Sequence, residues 1–250
     1  MSRNICYLLL SILTVLLIYG TTLSCEKPAP ETTSSTLMDP LAVAEAYLDA
    51  YNKKDIDTIL SIMADDIVFR QEPNGIEIKG KAKVEESIQQ GFLANHKSKL
   101  ETPFTVSGEK VTATVRVSGD EFRIIGLEYI TVSYEAIIRD GKIYSILNTV
   151  DKNDWAEINK RTTGVVGIRI AFVKEGLKIE GFATDSPAQK AGMETGDVIV
   201  AIDGLSCADM QDWEKTLRIR GTVGSKVHLT ISREGRDEPI DIEVILVQPR

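Results

Sequence analysis

The sequence predicts an α+β chain of two folded units behind an amino-terminal leader, and three observations carry that prediction. Apolar residues recur at helical spacing up to Phe92, then alternate two apart from Phe104 onward. Turn dipeptides such as Asp140-Gly141 and Asp203-Gly204 divide the later strands. After Asn159 a second stretch begins in which spaced glycines punctuate short apolar runs, a composition that suits a small strand-rich unit.

A chain of 250 residues is long enough for two domains, each with its own core. Lys+Arg of 29 against Asp+Glu of 37 gives a net charge of −8, and no basic cluster interrupts it, which argues against a nucleic-acid partner. The leader carries one charge, Arg3, then the apolar run from Ile5 to Tyr19, then small residues before Cys25. That is the layout of a secretory signal over residues 1–24, and the run is shorter than the roughly 20 residues a spanning helix prefers.

Cys25 at this place resembles the lipid-modified cysteine of bacterial lipoproteins, although Thr22 stands where that family prefers Leu. Ordinary signal cleavage and retention as a membrane anchor are the alternatives, and all three put the rest of the chain outside the cytoplasm, in the bacterial cell envelope or secreted. Residues 26–37, rich in Pro, Ser and Thr, read as a tether. With Cys6 inside the signal and Cys25 acylated, Cys207 is a lone thiol, so no disulfide framework is expected. No histidine stands near Cys207 in sequence, and it reads as a half-buried loop residue. No cofactor or metal ligand set is expected.

The first unit, residues 38–158, opens with Asp39-Pro40 as helix cap and first position. Val43, Tyr47 and Ala50, with Ala44, Leu48 and Tyr51, form the inward face. Asp55 caps a second helix through Ile59 and Met63, and Val84, Ile88 and Phe92 mark a third after a short strand at Ile67-Val68-Phe69. Strands then run through Val111 to Val117, Glu128 to Ile138, and Lys142 to Ile146. Helices followed by an antiparallel meander predict three helices on one face of a curved sheet.

This order, with Ala50-Tyr-Asn-Lys-Lys-Asp55, Ala64-Asp-Asp-Ile-Val-Phe69 and Arg139-Asp-Gly-Lys-Ile143 at its joints, resembles the SnoaL-like branch of the NTF2-like superfamily. The resemblance implies a cone with a cavity, used by isomerases, cyclases and dehydratases and also by non-enzymatic modules that bind or dimerise. Catalysis of that kind needs a carboxylate or imidazole in an apolar cavity and a donor for a developing oxyanion. The candidates are Asp66, His96 and Tyr129, with Asp65, Glu128 and Tyr134 behind them. Asp65 and Asp66 read as residues of a helix-to-strand turn, and His96 as a solvent-facing residue at a helix end. Tyr129 and Tyr134 have opposite strand parity, so only one can face the cavity. Trp155 reads as a plug for the cone's end or for the junction between domains.

The second unit, residues 159–250, centres on Ser186-Pro-Ala-Gln-Lys-Ala-Gly192, a short helix with cap, first-position proline and closing glycine, followed by Gly196-Asp197 and the buried strand Val198 to Ile202. With Gly164-Val-Val-Gly-Ile168 upstream and Arg220-Gly221, Gly224, Val227, Leu229, Ile231 and Arg233 downstream, this stretch resembles the PDZ domains of bacterial carboxyl-terminal processing proteases. The resemblance implies a barrel-like fold that takes up an extended peptide beside an edge strand. Its site would comprise Val165, Val166, Gly167 and Ile168 as carboxylate loop, Arg169 and Ile170 on the edge, and Met210, Trp213 and Leu217 on one face of a helix running from near Asp209 to Ile219. Val165-Val166 stand where Gly-Leu or Gly-Ile is frequent, which leaves capture of internal segments, or a groove filled by its own side chains, as alternatives. In those proteases a catalytic domain follows the PDZ module; here the sequence ends at Arg250, and no peptidase activity is expected.

The resulting expectation is a membrane-tethered binding protein. Its PDZ module captures exported peptides or protein carboxyl termini, and its cone dimerises or holds a small apolar ligand. The second expectation is an isomerase-, cyclase- or dehydratase-type enzyme with the PDZ module as anchor or regulator.

Overall fold

A computed structural model describes residues 39–249. The leader, Cys25 and the tether lie outside the described residues. The first unit begins with α1 (Pro40–Lys53) and α2 (Ile56–Ser61), followed by β1 (Met63–Glu72), β2 (Ile76–Lys79) and α3 (Lys81–Leu93). After β3 (Lys97–Leu100), β4 (Thr105–Ser107) and β5 (Lys110–Ser118) come a short α4 (Asp120–Ile124), the hairpin β6 (Ile130–Arg139) and β7 (Lys142–Val150), and α5 (Lys152–Thr162).

Pro40 stands at the start of α1 as its missing amide allows, and the Asp55 carboxylate accepts from the Thr58 amide at the start of α2. The sheet has the order β2-β1-β7-β6-β5-β3, with β4 also on β5. All its pairings are antiparallel except β1 with β7, which is parallel, so the sheet is mixed and not the pure meander expected. Asp140 and Gly141, at φ of 50° and 70°, form the tight turn that sets the β6–β7 register at Arg139 and Lys142. Val43, Ala44 and Ile59 from the helices close the core against Ile67, Val111, Ala136, Ile138 and Ile143 from the sheet, each essentially inaccessible to solvent.

Two helices depart from the expectation of three. The five residues of α4 are too few to show a period, and α5 is polar on most of its surface, with Trp155 and Ile158 the apolar residues it turns inward. Residues 159–162, the expected start of the second unit, are the last turn of α5. Its cap is the Asp151 carboxylate, which accepts from the amides of Asn153 and Asp154.

The second unit continues as β8 (Gly164–Val165), β9 (Ile168–Val173), β10 (Gly176–Phe182), α6 (Pro187–Lys190), β11 (Val198–Ile202), β12 (Leu205–Ser206), a 3-10 turn at Cys207–Asp209, α7 (Asp212–Arg218), β13 (Arg220–Gly221), β14 (Lys226–Ser232) and β15 (Ile240–Ile245). Its antiparallel sheet has the order β15-β14-β11-β10-β9, with β12 on β11; β8 pairs with β13 and bridges to Val247. The sheet curls as a partial barrel without closing. At one edge β9 pairs with β10 and, among the described residues, with nothing on its other side. Leu177, Ile179, Ile199, Ile202, Leu229 and Ile231 fill the core.

Local chemistry in this unit follows the residues closely. The Ser186 hydroxyl accepts from the Gln189 amide, Pro187 opens α6, and Gly192 closes it in the left-handed region at φ 97°. Cys207 is fully buried and not half-buried as expected; burial pushes its thiol pKa up, which suits a packing residue and not a nucleophile.

Candidate functional site

The cone encloses a cavity of about 210 Å³ whose walls are mostly aliphatic and aromatic, among them Phe69, Val84, Ile88, Phe104, Val115 and Val132. Tyr134 lines it and Tyr129 does not; Tyr129 lies under the Arg116 guanidinium, 4.4 Å from its ring centroid, on the other parity of the chain. Asp66 and Asp65 lie outside the cavity, both exposed on β1. They fall where the β1–β7 register breaks between Met63 and Val68, so two successive side chains turn outward where strict alternation would send one inward. Glu128 is exposed as well.

His96 is placed differently from its expected solvent position. Asn95 adopts a left-handed conformation (φ 54°), its amide bonds to the Phe92 carbonyl, and the His96 amide reaches the Gly91 carbonyl at 2.9 Å. This pair of bonds at the end of α3 is a Schellman turn, which folds the residue after the left-handed position back beneath the helix. The imidazole consequently lines the cavity, stacked on Phe122 with centroids 6.0 Å apart. Its Nδ1 lies 3.3 Å from the Tyr51 hydroxyl and its Nε2 is hydrogen-bonded to Glu121 Oε1. With the ring neutral, Nε2 donates to the carboxylate and Nδ1 accepts from the tyrosine.

Glu121 was not among the residues singled out from sequence. It sits on α4 with 7% of its surface exposed, and the signal that finds it is the helix itself, which was too short to read. Two glycines make room for this cluster. A Cβ on Gly91 would lie 2.4 Å from the Tyr51 hydroxyl and 3.0 Å from His96 Nδ1; one on Gly119 would lie 2.6 Å from both Glu121 Oε2 and His96 Cδ2. Burial pushes the phenols of Tyr47, Tyr51 and Tyr134 well above their usual pKa, with the charge of Glu121 adding to the effect at Tyr51. All three hydroxyls therefore remain donors at any ordinary pH. The cavity thus combines fixed donors, an imidazole and a carboxylate within apolar walls.

In the second unit the structure brings residues 165–170 together as a loop running into the β9 edge. Val165 is held by β13 and by Val247, and Val166 is buried at 2%. The Val166 carbonyl accepts from the Ala188 amide and the Ser186 hydroxyl, and the Gly167 carbonyl from the Ala183 amide. In these bonds the loop contributes carbonyls and not amides. Gly167 has φ of 75°, and a Cβ there would crowd Pro187 and Ser186 at 3.0 to 3.2 Å, so both conformation and space call for glycine. Ile168 and Ile170 pack partly on the core, Arg169 and Phe172 are exposed, and Arg220 stands opposite Val165. The Arg220 guanidinium makes no ion pair among the described residues, and burial lowers its pKa.

The helix of this unit differs from the expected one. The Ser206 hydroxyl and the Cys207 carbonyl hold residues 207–210 in a 3-10 turn, so the α-helix starts at Asp212 and Met210 precedes it in extended conformation within the core. Met210 is therefore not on the helix face that Trp213 and Leu217, four residues apart, share. Leu217 is buried, and Trp213 forms part of the wall of the cone's cavity. That follows from packing between units: α7 lies against α4, and α5 against β8 and β13. Trp155 instead packs on the cone's core from α5 and does not line the cavity. The Arg161 guanidinium of α5 bonds to the carbonyls of Ile125 and Gly126 behind α4. Among the described residues no group of three or more His, Cys, Asp or Glu could hold a metal ion.

Comparison with known proteins agrees with this division. Residues 44–146 match the SnoaL-like domain family and residues 164–244 the PDZ domain family. A carboxy-terminal-processing protease of Bartonella bacilliformis is 28% identical over 137 residues, which are 51% of this chain and 32% of that protein. A carboxy-terminal processing protease of Bacillus subtilis is 26% identical over 134 residues, 49% of this chain and 28% of the other. The chain therefore spans about a third or less of the length of these relatives. Among solved structures, an NTF2-like protein of unknown function from Cytophaga hutchinsonii covers 49% of this chain and 98% of its own at 13% identity, with a TM-score of 0.41. An LEH-like epoxide hydrolase from M. tuberculosis covers 47% and 87% at 18% identity, with a TM-score of 0.39. Cone and partial barrel, each matched by its own family, make this chain a SnoaL-like domain joined to a PDZ domain.

Proposed function

We propose that the protein is an envelope-located, membrane-tethered binding protein whose PDZ domain captures the carboxyl terminus of a peptide or protein, while its cone retains a small, largely apolar ligand. The observation that carries the first half is the open β9 edge beginning at the Gly167 turn. An added strand gains main-chain hydrogen bonds along such an edge, and its terminal carboxylate meets the amides of Val166, Gly167 and Ile168. Arg220 supports the same reading: a half-buried guanidinium without a carboxylate is a costly arrangement that an incoming anion relieves. Ile168, Ile170 and Leu217 suit apolar side chains near that terminus.

Fluorescence polarisation of the full chain against labelled peptides tests this. Peptides ending in an apolar residue with a free carboxylate should bind at least tenfold more tightly than the same peptides amidated, and Arg220→Gln should remove most of that difference. Equal binding of acid and amide contradicts carboxylate capture. Membrane tethering through Cys25 is tested by incorporation of labelled fatty acid, which Cys25→Ala should abolish and which persists in the variant if the reading is mistaken.

A second reading is favoured by one observation, the His96–Glu121–Tyr51 cluster facing the cavity. In it a substrate displaces the Tyr51 hydroxyl from His96 Nδ1, which takes the proton of the substrate C–H acid, Glu121 holds the imidazole through Nε2, and the released tyrosine hydroxyl donates to the enolate oxygen. Exchange of α-hydrogens of a small cyclic ketone in D₂O, present in wild type and lost in His96→Gln, supports this reading; no exchange above buffer rejects it. Dimerisation through the cone would use the outer sheet face carrying Thr112, Thr114, Ser133 and Thr149, and a solution mass of one chain at high protein concentration would reject it.

A further inference from the structure

Buried polar atoms that the fold leaves without a partner are informative because a native core rarely tolerates them dry. Four of those among the described residues belong to side chains lining the cone's cavity: Glu121 Oε2, Tyr134 Oη, Asn148 Oδ1 and Trp213 Nε1. They fall into two groups. Tyr134 and Asn148 face each other across the β6–β7 pairing, and Glu121 belongs to α4, the element against which α7 brings Trp213. Apolar side chains such as Ile88, Val115 and Val132 occupy the walls between.

Size narrows the occupant. An apolar cavity of about 150 Å³ holds a benzene ring, so 210 Å³ takes one ring with short substituents. Charge narrows it further: an anion is repelled by Glu121, and a cation would find one free carboxylate oxygen, Glu121 Oε2, in place of its hydration shell between largely apolar walls.

We infer that the cavity is a composite site for an uncharged one-ring molecule with a hydrogen-bonding group at each end, and that Trp213 of the PDZ domain is one of its ligand-contacting residues. Its indole N–H donates to one end of the ligand, and the Tyr134 hydroxyl and the Asn148 carboxamide engage the other. The site is therefore incomplete in the cone alone. This rests on the reading of the cone as a binding chamber, and it adds the ligand's class and the second domain's part in holding it.

The probe is 4-(2-hydroxyethyl)phenol, titrated into the full chain by calorimetry and followed by the two indole N–H resonances in a proton–nitrogen spectrum. Saturable one-to-one binding is expected, with the Trp213 resonance shifting and that of Trp155 unmoved. Trp213→Phe and Tyr134→Phe should each weaken binding about tenfold, and Trp155→Phe should leave it unchanged. 4-Hydroxyphenylacetate and 4-(2-aminoethyl)phenol, charged at the same end, should bind more weakly; tighter binding of either overturns the assignment of an uncharged ligand. Equal affinity of wild type and Trp213→Phe, with an unmoved indole resonance, overturns the composite site while the cone remains a chamber on its own. No binding to the wild type overturns both for this class of ligand. Peptide affinity, measured separately, bears on neither result.

Discussion

Asp197 is 1% exposed at the entrance to β11, and its fate depends on one guanidinium. Arg233 donates to both its oxygens, at 2.8 and 2.9 Å, and also reaches Glu194 and the Gly192 carbonyl. Burial on its own raises the Asp197 pKa, but the Arg233 bonds and the Glu194 amide outweigh it and hold the carboxyl below its usual range. A depressed carboxylate contributes stability that is fully present above the ordinary value of about 4 and is lost as pH falls through the lowered folded value. Asp197→Asn should therefore cost about 3 kcal/mol at neutral pH, and the gap from wild type, followed by urea denaturation, should shrink below pH 4. A gap that stays constant from neutral to acid pH would count against this account. Spaced residues Gly192, Gly196 and Arg233 were legible in sequence as a pattern, but the reason for the pattern, a buried charge bound by one side chain and one backbone amide, required coordinates.

At the scale of elements, α3 shows local propensity yielding to a site. Gly91 lies inside the helix, where alanine ordinarily gains up to about 1 kcal/mol. Here its Cβ would enter the space of the Tyr51 hydroxyl and His96, so Gly91→Ala should lose about 1–3 kcal/mol instead. Thermal unfolding checks the sign, and a stabilised variant would show that the cluster yields without strain. Capped helices and type I′ hairpins were readable because a few adjacent residues specify them: Asp55 with Thr58, Ser186 with Pro187, Asp203 with Gly204. What was not readable depended on distant partners. The parallel pairing of β1 with β7 joins strands far apart in sequence, α4 is shorter than any period, and His96 turns inward through a backbone motif that the single residue Asn95 only hints at.

For the whole molecule, the geometry of interest is that one helix serves two sites. In the proposed function α7 walls the peptide groove, and it presents Trp213 to the cone; α5 and Arg161 brace the same region from behind. Two ligands that share an element are thermodynamically linked, and the coupling is reciprocal. Saturating 4-(2-hydroxyethyl)phenol should change the Kd of a carboxyl-terminal peptide about fivefold or more, and Trp213→Phe should abolish the change. An identical peptide Kd with and without the phenol would show that the two domains act independently. Nothing in the sequence of either domain forecasts this, because Trp213 reads equally well as a groove residue until the neighbouring domain is in place.

The account depends most on β9 accepting another chain, and backbone hydrogen exchange of the full protein addresses that directly. Addition of a saturating carboxyl-terminal peptide should slow exchange at those amides of Ile168–Val173 that point away from β10, by an amount that grows with peptide affinity. Unchanged exchange along β9 in the presence of a peptide that demonstrably binds would place the peptide elsewhere and contradict the account.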